Sequence, residues 1–280
     1  MVVSVVVLVY NAQKTIERCL AALLRQTYSN FELIMVDDGS TDSSLEKIRH
    51  FKDKMITVIQ NGSNLGIAKS RNVGWKAARG EYIFFTDSDC MVLPSWLEAG
   101  IEAIKGYDIV TGWTLYENSW PSYKDRVVQG KDVFFTCNLG FSRKALDKVG
   151  GFDEELAMYG EDKDVCQRIL EQGGKKTYCE EMMVIHQTNY RSVKDELKRY
   201  GNYYCGKLLN QVKHRSEHDL LWRIIRPDEL VVLFFPFLLL ITRRFAGWSD
   251  LKLLPFSWLG MWRGRCRLWG KAVMVRKFYV

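Results

Sequence analysis

The chain of 280 residues is long enough for one large domain with an appendage, and for a sizeable buried core. A composition of 47% hydrophobic and 26% charged residues excludes a disordered protein. The net charge of +7 is uneven, because residues 191–280 hold 18 Lys and Arg against 7 Asp and Glu. This basic end is predicted to meet something anionic.

The seven cysteines include no C-x-x-C pair and no metal-finger spacing, and their number is odd. We therefore expect reduced thiols in a cytosolic compartment. The first nine residues lack the basic region and the cleavage site of a signal peptide, and they are predicted to form a strand.

Strands and helices alternate four times in the first part of the chain. The first strand is a β-branched run, Val2–Val9, of the kind that parallel sheets bury on both faces. Further strands are predicted at Phe31–Val36, Met55–Gln60 and Tyr82–Phe85. The helices between them are predicted at Ala12–Gln26, Ser43–Lys52 and Gly66–Arg79. This pattern indicates an α/β doubly wound fold, which binds ligands outside the carboxyl ends of its strands.

Polar side chains fall at that edge after three of the four strands. The alternative is that residues at the ends of strands are polar because they are exposed to solvent. That alternative could account for one or two of these positions, but it accounts less well for all six. The six residues are Tyr10, Asn11, Asp37, Asp38, Asp87 and Asp89.

Asp87 and Asp89 stand one residue apart where the fourth strand stops. Hard divalent cations take oxygen ligands, and Mg²⁺ is typically held by one or two carboxylates together with substrate phosphates. The pair therefore indicates a metal site. Two solvated turn residues are the alternative for the pattern taken alone.

The second part of the chain is predicted in less regular pieces. A helix is predicted at Pro94–Lys105, a strand at Asp108–Leu115 and an irregular polar stretch at Glu117–Asp132. A strand within Val133–Ser142 leads into Arg143–Val149, and a turn follows at Gly150–Glu154. An amphipathic helix, Lys163–Gln172, precedes two short strands at Lys176–Glu180 and Met182–His186.

Six segments in this order resemble family 2 glycosyltransferases with the GT-A fold, over roughly residues 1–200. They are Val3–Asn11, Val36–Asp42, Asn64–Asn72, Asp87–Asp89, Gly150–Glu154 and Gly160–Asp164. The resemblance implies a Rossmann-like nucleotide-diphospho-sugar transferase fold, a nucleotide-sugar donor, a divalent metal (Mn or Mg) and inversion at the anomeric carbon. UDP is the expected nucleotide because most of the family uses it, and no residue here decides the matter.

The resemblance implies that Asp89 binds the metal directly. Asp87 is expected to contact the metal, a water bound to the metal, or the donor ribose. His186 ends a predicted strand and is implied as a further ligand, as in family members with a late His. The alternative for a lone His is a structural role. A bound metal would neutralise charge on the leaving diphosphate.

Asp162 matches the base position of the family's Glu-Asp pair. Direct displacement needs one general base for the acceptor hydroxyl. The alternative for Asp162 is an ordinary helix N-cap. Glu161 is expected to contact the acceptor or to hold a neighbouring loop, and Asp164 is expected to pair with Arg168 one helical turn on.

The donor is expected to meet residues at the ends of the strands. Adjacent strand residues face opposite ways, so only one of Asp37 and Asp38 reaches the nucleobase, and the family pattern favours Asp38. Arg71 is implied on the nucleobase or phosphate side, with a solvated helix face as the alternative. Asn11 is expected to contact the donor, and its neighbour Tyr10 is expected to stack or hydrogen-bond near the nucleobase, or else to cap the strand. Asn138 lies in Cys137–Phe141, which resembles the stretch beneath the donor sugar.

Residues 201–280 are predicted to form a helical C-terminal extension that follows a catalytic domain at 1–200. Its apolar runs, Leu230–Ile241 and Leu251–Trp262, each contain a proline and are short of the ~20 residues that a membrane span needs. Basic residues and tryptophans flank them, which suits a lipid headgroup interface. We expect a cytoplasmic protein, peripheral at the inner face of the cell membrane, with a glycan or lipid-linked acceptor and no nucleic-acid partner. The alternative is a helical pair packed on the body or on a second subunit.

Two other functions stay open at this point. A polymerising synthase is disfavoured by the lack of a multi-span channel segment and of a clear Gln-x-x-Arg-Trp signature. A non-catalytic nucleotide-binding scaffold that retains the fold is disfavoured by the presence of Asp87, Asp89 and Asp162.

Overall fold

A computed structural model describes residues 3–117, 126–128, 134–156 and 160–187. The predicted extension at 201–280, with its proposed membrane anchor, lies outside the described residues, as does most of the predicted irregular stretch at 117–132.

Nine strands and six helices are described. The strands are β1 (Val3–Val9), β2 (Phe31–Asp37), β3 (Ile56–Gln60), β4 (Tyr82–Asp87), β5 (Cys90–Val92), β6 (Ile109–Glu117), β7 (Arg126–Val128), β8 (Leu139–Ser142) and β9 (Lys176–Gln187). The helices are α1 (Ile16–Leu23), α2 (Ser44–His50), α3 (Ile67–Ala77), α4 (Trp96–Ile104), α5 (Arg143–Val149) and α6 (Glu161–Glu171).

The strands form one mixed sheet in the order β3-β2-β1-β4-β8-β6-β9-β5, with β7 paired to β6. The β3-β2-β1-β4 half is parallel, because each of these strands is followed or preceded by a crossover helix. β8 then runs antiparallel to β4 and to β6, while β9 is parallel to β6. The predicted α/β doubly wound arrangement is confirmed for the parallel half.

Helices cover both faces of this sheet. On one face Leu20 of α1 and Trp96 of α4 pack with Phe84 of β4. On the other face Trp75 of α3 and Ile169 of α6 pack among residues of β4 and β8. All of β1 except Leu8 is buried, as its run of valines predicted, since a strand covered on both faces has no solvated side.

The predicted pair of short strands after α6 is a single strand, β9. Its register against β6 shifts beside Gly112, which pairs with Cys179 while the next residue, Trp113, pairs with Met183. The bulged residues in between interrupt the alternation of side chains, so the sequence pattern breaks although the strand continues. β5, of three residues, was not predicted because so short a run carries no periodicity.

We expect Gly112→Ala to destabilise the sheet at this bulge. A Cβ on residue 112 would lie 1.9 Å from the carbonyl oxygen of Met182, a backbone atom that cannot move aside alone. The predicted loss is about 3 kcal/mol of unfolding free energy, measured by urea denaturation. The matched control is Gly62→Ala, because a Cβ there meets nothing within 4 Å. If the two variants were equally stable, residue 112 would not be packed as closely against the Met182 carbonyl as the structure shows.

Across the described residues, no helix combines the length and the apolar composition that a membrane crossing requires.

Candidate functional site

The carboxyl ends of β1, β2 and β4 lie side by side at one edge of the sheet. β1 is the parallel neighbour of both other strands, in a register that pairs Val9 with Asp37 and Leu8 with Asp87. The polar residues predicted at this edge therefore do share it. The observed edge carries Tyr10, Asn11, Asp37, Asp38, Asp87 and Asp89.

A cluster of metal-ligating side chains forms where β5 meets β9. Antiparallel pairing sets His186 opposite Cys90, and the Gln187 N–H donates to the carbonyl of Asp89 over 2.8 Å. One ligand atom from each of Asp87, Asp89, Cys90 and His186 lies within 4.8 Å of the others. The structure thus brings together the three predicted metal ligands and adds a thiol that sequence reasoning missed.

The chemistry of this cluster fits a divalent cation. Asp87 and Asp89 are each a little over a quarter exposed, so their side chains are accessible to solvent. The Nε2 atom of His186 lies 3.6 Å from an Asp89 oxygen, a separation that two ligands of one ion can adopt. Asp87, Asp89 and His186 are therefore the residues that would hold the metal.

Tyr116 on β6 fixes the plane of the His186 ring. The two rings stack at a centroid distance of 5.0 Å, and β6 and β9 pair these two residues in register. The Nδ1 atom of His186 is buried and finds no hydrogen-bond partner among the described residues. The ring is therefore oriented by packing, with Nε2 directed toward the carboxylates.

Arg71 of α3 connects the metal-ligand cluster to the start of α6. Its side chain is 6% exposed, and it forms ion pairs with Asp87, over 3.2 Å, and with Glu161. Burial acts to lower the pKa of the guanidinium, but the charges of Glu161, Asp87 and Asp162 outweigh burial and raise that pKa. The alternative of a solvated helix face for Arg71 is wrong. Its contact with the donor stays a prediction. The Nη1 and Nη2 groups of the guanidinium both already pair with protein carboxylates.

Asp162 lies in the first turn of α6, because that helix begins at Glu161. The N-cap alternative for Asp162 is therefore wrong. Burial is the main cause that raises the pKa of the Asp162 carboxyl to about 7, and the neighbouring charge of Glu161 adds to it, while Arg71 opposes. A carboxyl with this pKa suits a general base at neutral pH.

Glu161 is buried, and its two carboxylate oxygens differ in their contacts with the described residues. One oxygen pairs with Arg71, while Oε2 finds no partner among the described residues. An unmatched buried carboxylate oxygen is costly and can accept a hydrogen bond from a ligand. Farther along α6, Asp164 pairs with Arg168 as predicted.

Asp38 is used to hold the loop that leads into α3. Its carboxylate accepts hydrogen bonds from the Asn61 side chain (3.0 Å) and from the backbone N–H groups of Leu65 (2.8 Å) and Gly66 (3.1 Å). The Asp37 carboxylate accepts a long 3.4 Å bond from the Ser40 N–H. A nucleobase that bonds to Asp38, as predicted, would therefore share its carboxylate with three protein donors.

Tyr10 and Asn11 differ in how far the protein uses them. The Tyr10 ring is 50% exposed at the end of β1 and is free to face a planar ligand. Asn11 has a positive φ of 50°, and its side-chain oxygen accepts from the Thr41 N–H at 2.8 Å. Asn11 thereby shapes the loop that follows β2.

Asn138 lies in the protein interior, 1% exposed. Its amide nitrogen donates to the carbonyls of Trp113 (2.7 Å) and Met182 (2.9 Å), and its oxygen accepts from the Trp96 indole (2.8 Å). Both amide hydrogens are used by the fold, so these contacts do not favour its predicted role in donor binding.

Asn72 is a residue of the site region that sequence reasoning left without a role. Its side chain bonds to the backbone carbonyl and N–H of Phe152 at 2.8 and 2.9 Å, and so ties α3 to the predicted turn at Gly150–Glu154. Phe152 lies under the Arg71 guanidinium at 5.9 Å. The only sequence signal was that Asn72 and this turn occur in two of the six segments.

Five cysteines are described, and all are buried free thiols, as predicted for reduced cysteines. Burial raises the pKa of the Cys90 thiol well above its usual range, and hydrogen bonding to Cys137 adds to the shift. The Cys90 thiol is therefore protonated in the free protein at neutral pH.

Solved structures with the same architecture support the fold class predicted from the sequence. A mannosyltransferase of Pyrobaculum calidifontis, PcManGT, in complex with GDP-Man and Mn²⁺, superposes with a TM-score of 0.63 at 16% identity, over 96% of this chain and 87% of that one. S. aureus TarS 1–349 in complex with UDP-GlcNAc gives 0.60 at 20% identity, over 79% and 69% of the two chains. The protein has the predicted GT-A fold.

The sequence places the chain more closely within that class. Residues 4–152 match the profile of Glycosyl transferase family 2, and residues 82–264 match that of Glycosyl transferase family group 2. The chain belongs to glycosyl transferase family 2, as its motifs predicted.

One curated relative, from Escherichia coli, is the UDP-Glc:alpha-D-GlcNAc-diphosphoundecaprenol beta-1,3-glucosyltransferase WfaP, 32% identical over 160 residues. The match covers 53% of this chain and 61% of WfaP. Glycosyltransferase GlyG of Streptococcus pneumoniae is 40% identical over 114 residues, which cover 39% of this chain and 38% of GlyG. The chain thus spans less than two thirds of the length of these relatives.

Proposed function

We propose that this protein is an inverting, metal-dependent glycosyltransferase that moves a sugar from a nucleotide-sugar donor to a saccharide or lipid-linked acceptor. One observation carries the proposal. A metal-ligand cluster of two carboxylates and an imidazole lies at the carboxyl edge of the sheet, and Arg71 joins it to the helix turn that holds Asp162. Charge stabilisation of a leaving group and a base for an incoming hydroxyl are thus linked in one site.

The proposed reaction is a single displacement at the anomeric carbon. The acceptor oxygen forms a bond to that carbon as the bond to the donor's phosphate oxygen breaks. The nucleoside diphosphate leaves with the bonding electron pair, and the hydroxyl proton passes to Asp162. Because its pKa is raised to about 7, Asp162 is a better proton acceptor than an ordinary carboxylate while still ionised in a large fraction of molecules.

The metal would be held by Asp87, Asp89 and His186, and when bound it supplies a Lewis acid that neutralises charge on the diphosphate. The protein's own contribution is to fix these ligands. Arg71 holds Asp87, Tyr116 orients His186, and the Gln187 N–H holds the backbone of Asp89. The exposed Tyr10 ring offers a stacking surface for the nucleobase on the same edge.

UDP is the proposed nucleotide. TarS is seen with UDP-GlcNAc and WfaP is named as a UDP-Glc enzyme, whereas PcManGT is seen with GDP-Man. The named acceptor of WfaP is a sugar on diphosphoundecaprenol, which supports a lipid-linked acceptor here and a role in envelope or surface glycan assembly. The excess of basic residues at 191–280 is consistent with a cytoplasmic protein that is peripheral at the inner face of the cell membrane.

The test is calorimetric binding of UDP, GDP, CDP and dTDP, each with Mn²⁺ and then with excess chelator. We expect one nucleotide to bind with Mn²⁺ and to be released by the chelator. Asp89→Asn should weaken this metal-dependent binding at least about tenfold, because it removes a charged metal ligand. The matched control is Asp147→Asn, an exposed carboxylate on α5 that is not a member of the metal-ligand cluster. Failure of all four nucleotides to bind folded protein would favour the non-catalytic scaffold.

A further inference from the structure

The fourth member of the metal-ligand cluster is Cys90, which the proposed transfer reaction does not use. We propose that this cluster also takes a thiophilic divalent ion, of which Zn²⁺ is the representative, in a closed four-ligand site built from Asp87, Asp89, Cys90 and His186. Such a closed site would compete with the open metal state that nucleotide binding needs. The four-ligand site stands on geometry alone, whereas its inhibitory consequence rests on the proposed function.

The geometry brings one atom of each ligand close enough for a single ion. All four atoms lie within 4.8 Å of one another. A tetrahedral Zn²⁺ with bonds of about 2.0–2.3 Å holds its ligand atoms about 3.3–3.8 Å apart. The remaining closure is on the order of 1 Å, and the side chains of Asp87 and Asp89, each a little over a quarter exposed, can supply it by rotating about their own bonds.

The two less mobile ligands are placed by strand pairing. Cys90 and His186 face each other across β5 and β9, and both strands are fixed in the sheet. Cys90 is 1% exposed, and Tyr116 packs flat against His186. A buried thiol and a stacked imidazole are thus held by strand pairing, and the two partly exposed carboxylates complete the cluster.

The donor set discriminates between ions. Hard ions such as Mg²⁺ take oxygen ligands, and thiolate ligands select Zn²⁺ over Mn²⁺ or Mg²⁺. An ion bound through Cys90 displaces the thiol proton to solvent, so each ion bound releases one proton. Arg71 remains paired with Asp87 and offsets part of the negative charge that the site then gathers.

The closed site has a functional consequence. Four protein ligands complete the tetrahedral coordination of Zn²⁺, whereas a catalytic site keeps a position open for substrate. Zn²⁺ bound in this way leaves no position for the donor diphosphate. We therefore expect Zn²⁺ to abolish the nucleotide binding that Mn²⁺ supports.

Co²⁺ titration of the metal-free full-length protein is the first test, because a thiolate ligand on Co²⁺ produces an intense near-ultraviolet charge-transfer band. We expect this band in the parent protein and its loss in Cys90→Ser. The matched control is Cys179→Ser, another buried thiol on β9 outside the cluster, which should keep the band. A parent protein without the band, or a Cys90→Ser variant that retains it, would overturn the four-ligand site.

Zinc X-ray absorption of the parent protein makes the test independent of whether any variant folds. One sulfur scatterer at about 2.3 Å together with nitrogen and oxygen scatterers is the expected result. A shell of nitrogen and oxygen alone would refute a role for Cys90. Two or more sulfurs would refute the proposed set of four ligands, because the cluster offers one thiol.

Calorimetry separates this inference from the proposed function. If the sulfur signature appears and no nucleotide binds with any metal, the four-ligand site stands and the transferase proposal fails. If a nucleotide binds with Mn²⁺ and the sulfur signature is absent, the transferase proposal stands and the four-ligand site fails. If both are present, and Zn²⁺ does not displace the nucleotide, the competition between the two metal states is refuted.

Discussion

Asp162→Asn should lower kcat by about a thousandfold, the order of magnitude that a positioned general base contributes. The amide keeps the size of the side chain and removes its ability to accept the acceptor proton. Donor binding should be unchanged, because Asp162 belongs to α6 and is not a member of the metal-ligand cluster. The measurements are steady-state transfer and nucleotide calorimetry on the same preparation. Normal turnover in the folded variant would remove Asp162 as the base.

The same residue predicts the pH dependence of transfer. A base must be ionised, and the pKa of the Asp162 carboxyl is raised to about 7. The value of kcat/KM should therefore rise with pH up to about 7 and then level off. Asp162→Glu, which retains a carboxylate, should recover part of the rate and keep this acid limb. A profile that is flat between pH 5 and 8 would argue against a base with this pKa.

Stability of the metal-free protein should show the opposite trend. The folded carboxyl binds its proton more tightly than the unfolded one, so the stabilising contribution is complete below about pH 4 and is lost as the pH rises through about 7. Asp162→Asn should then exceed the parent in stability at pH 8, on the order of 2 kcal/mol after discounting for partial solvation, and match it near pH 4. Urea denaturation at both pH values measures the difference.

The parallel half of the fold and its ligand edge follow directly from local sequence. A β-branched run marks β1, a largely apolar run marks β2, and polar residues such as Asp87 mark the points where strands end. Both signals are local, because burial on two faces dictates the composition of a strand and the strand end dictates where a side chain can leave the sheet. His186 was predicted as a metal ligand only through family resemblance.

The other half depends on contacts between distant residues. The approach of Cys90 and Tyr116 to His186 requires the pairings of β5 and β6 with β9, which no local pattern encodes. Burial of Arg71 also escapes a reading of α3 alone, because its two partners are supplied by β4 and α6. Asn138 was predicted to bind the donor because it lies in a stretch that resembles the family. Its side chain is instead buried and hydrogen-bonded to Trp96, Trp113 and Met182.

Arg71→Met should cost about 3–5 kcal/mol of unfolding free energy. Methionine fills a similar volume but leaves the buried Glu161 carboxylate without its partner, and an isolated buried charge is far costlier than the pair itself is stabilising. The matched control is Lys105→Met, which breaks an ion pair with Glu102 on the protein surface and should change stability by less than about 1 kcal/mol. Equal losses in the two variants, measured by urea denaturation, would contradict a buried role for Arg71.

A double variant tests the cause of that loss. Glu161→Gln in the Arg71→Met background removes the uncompensated charge, so it should recover much of the lost stability even though it adds no contact. If the double variant is as unstable as the two single variants predict by addition, the loss comes from packing rather than from charge.

Arg71 also joins the two halves of the proposed chemistry. Its charge holds Asp87 for the metal and lowers the pKa of Asp162, so its removal should affect both. In Arg71→Met we expect weaker Mn²⁺-dependent nucleotide binding, together with an acid limb of kcat/KM that moves above pH 7. A residue that only stabilised the fold would lower the amount of active protein and leave the limb where it was. The position of that limb therefore distinguishes a residue that couples the metal ligands to the base from one that only supports them.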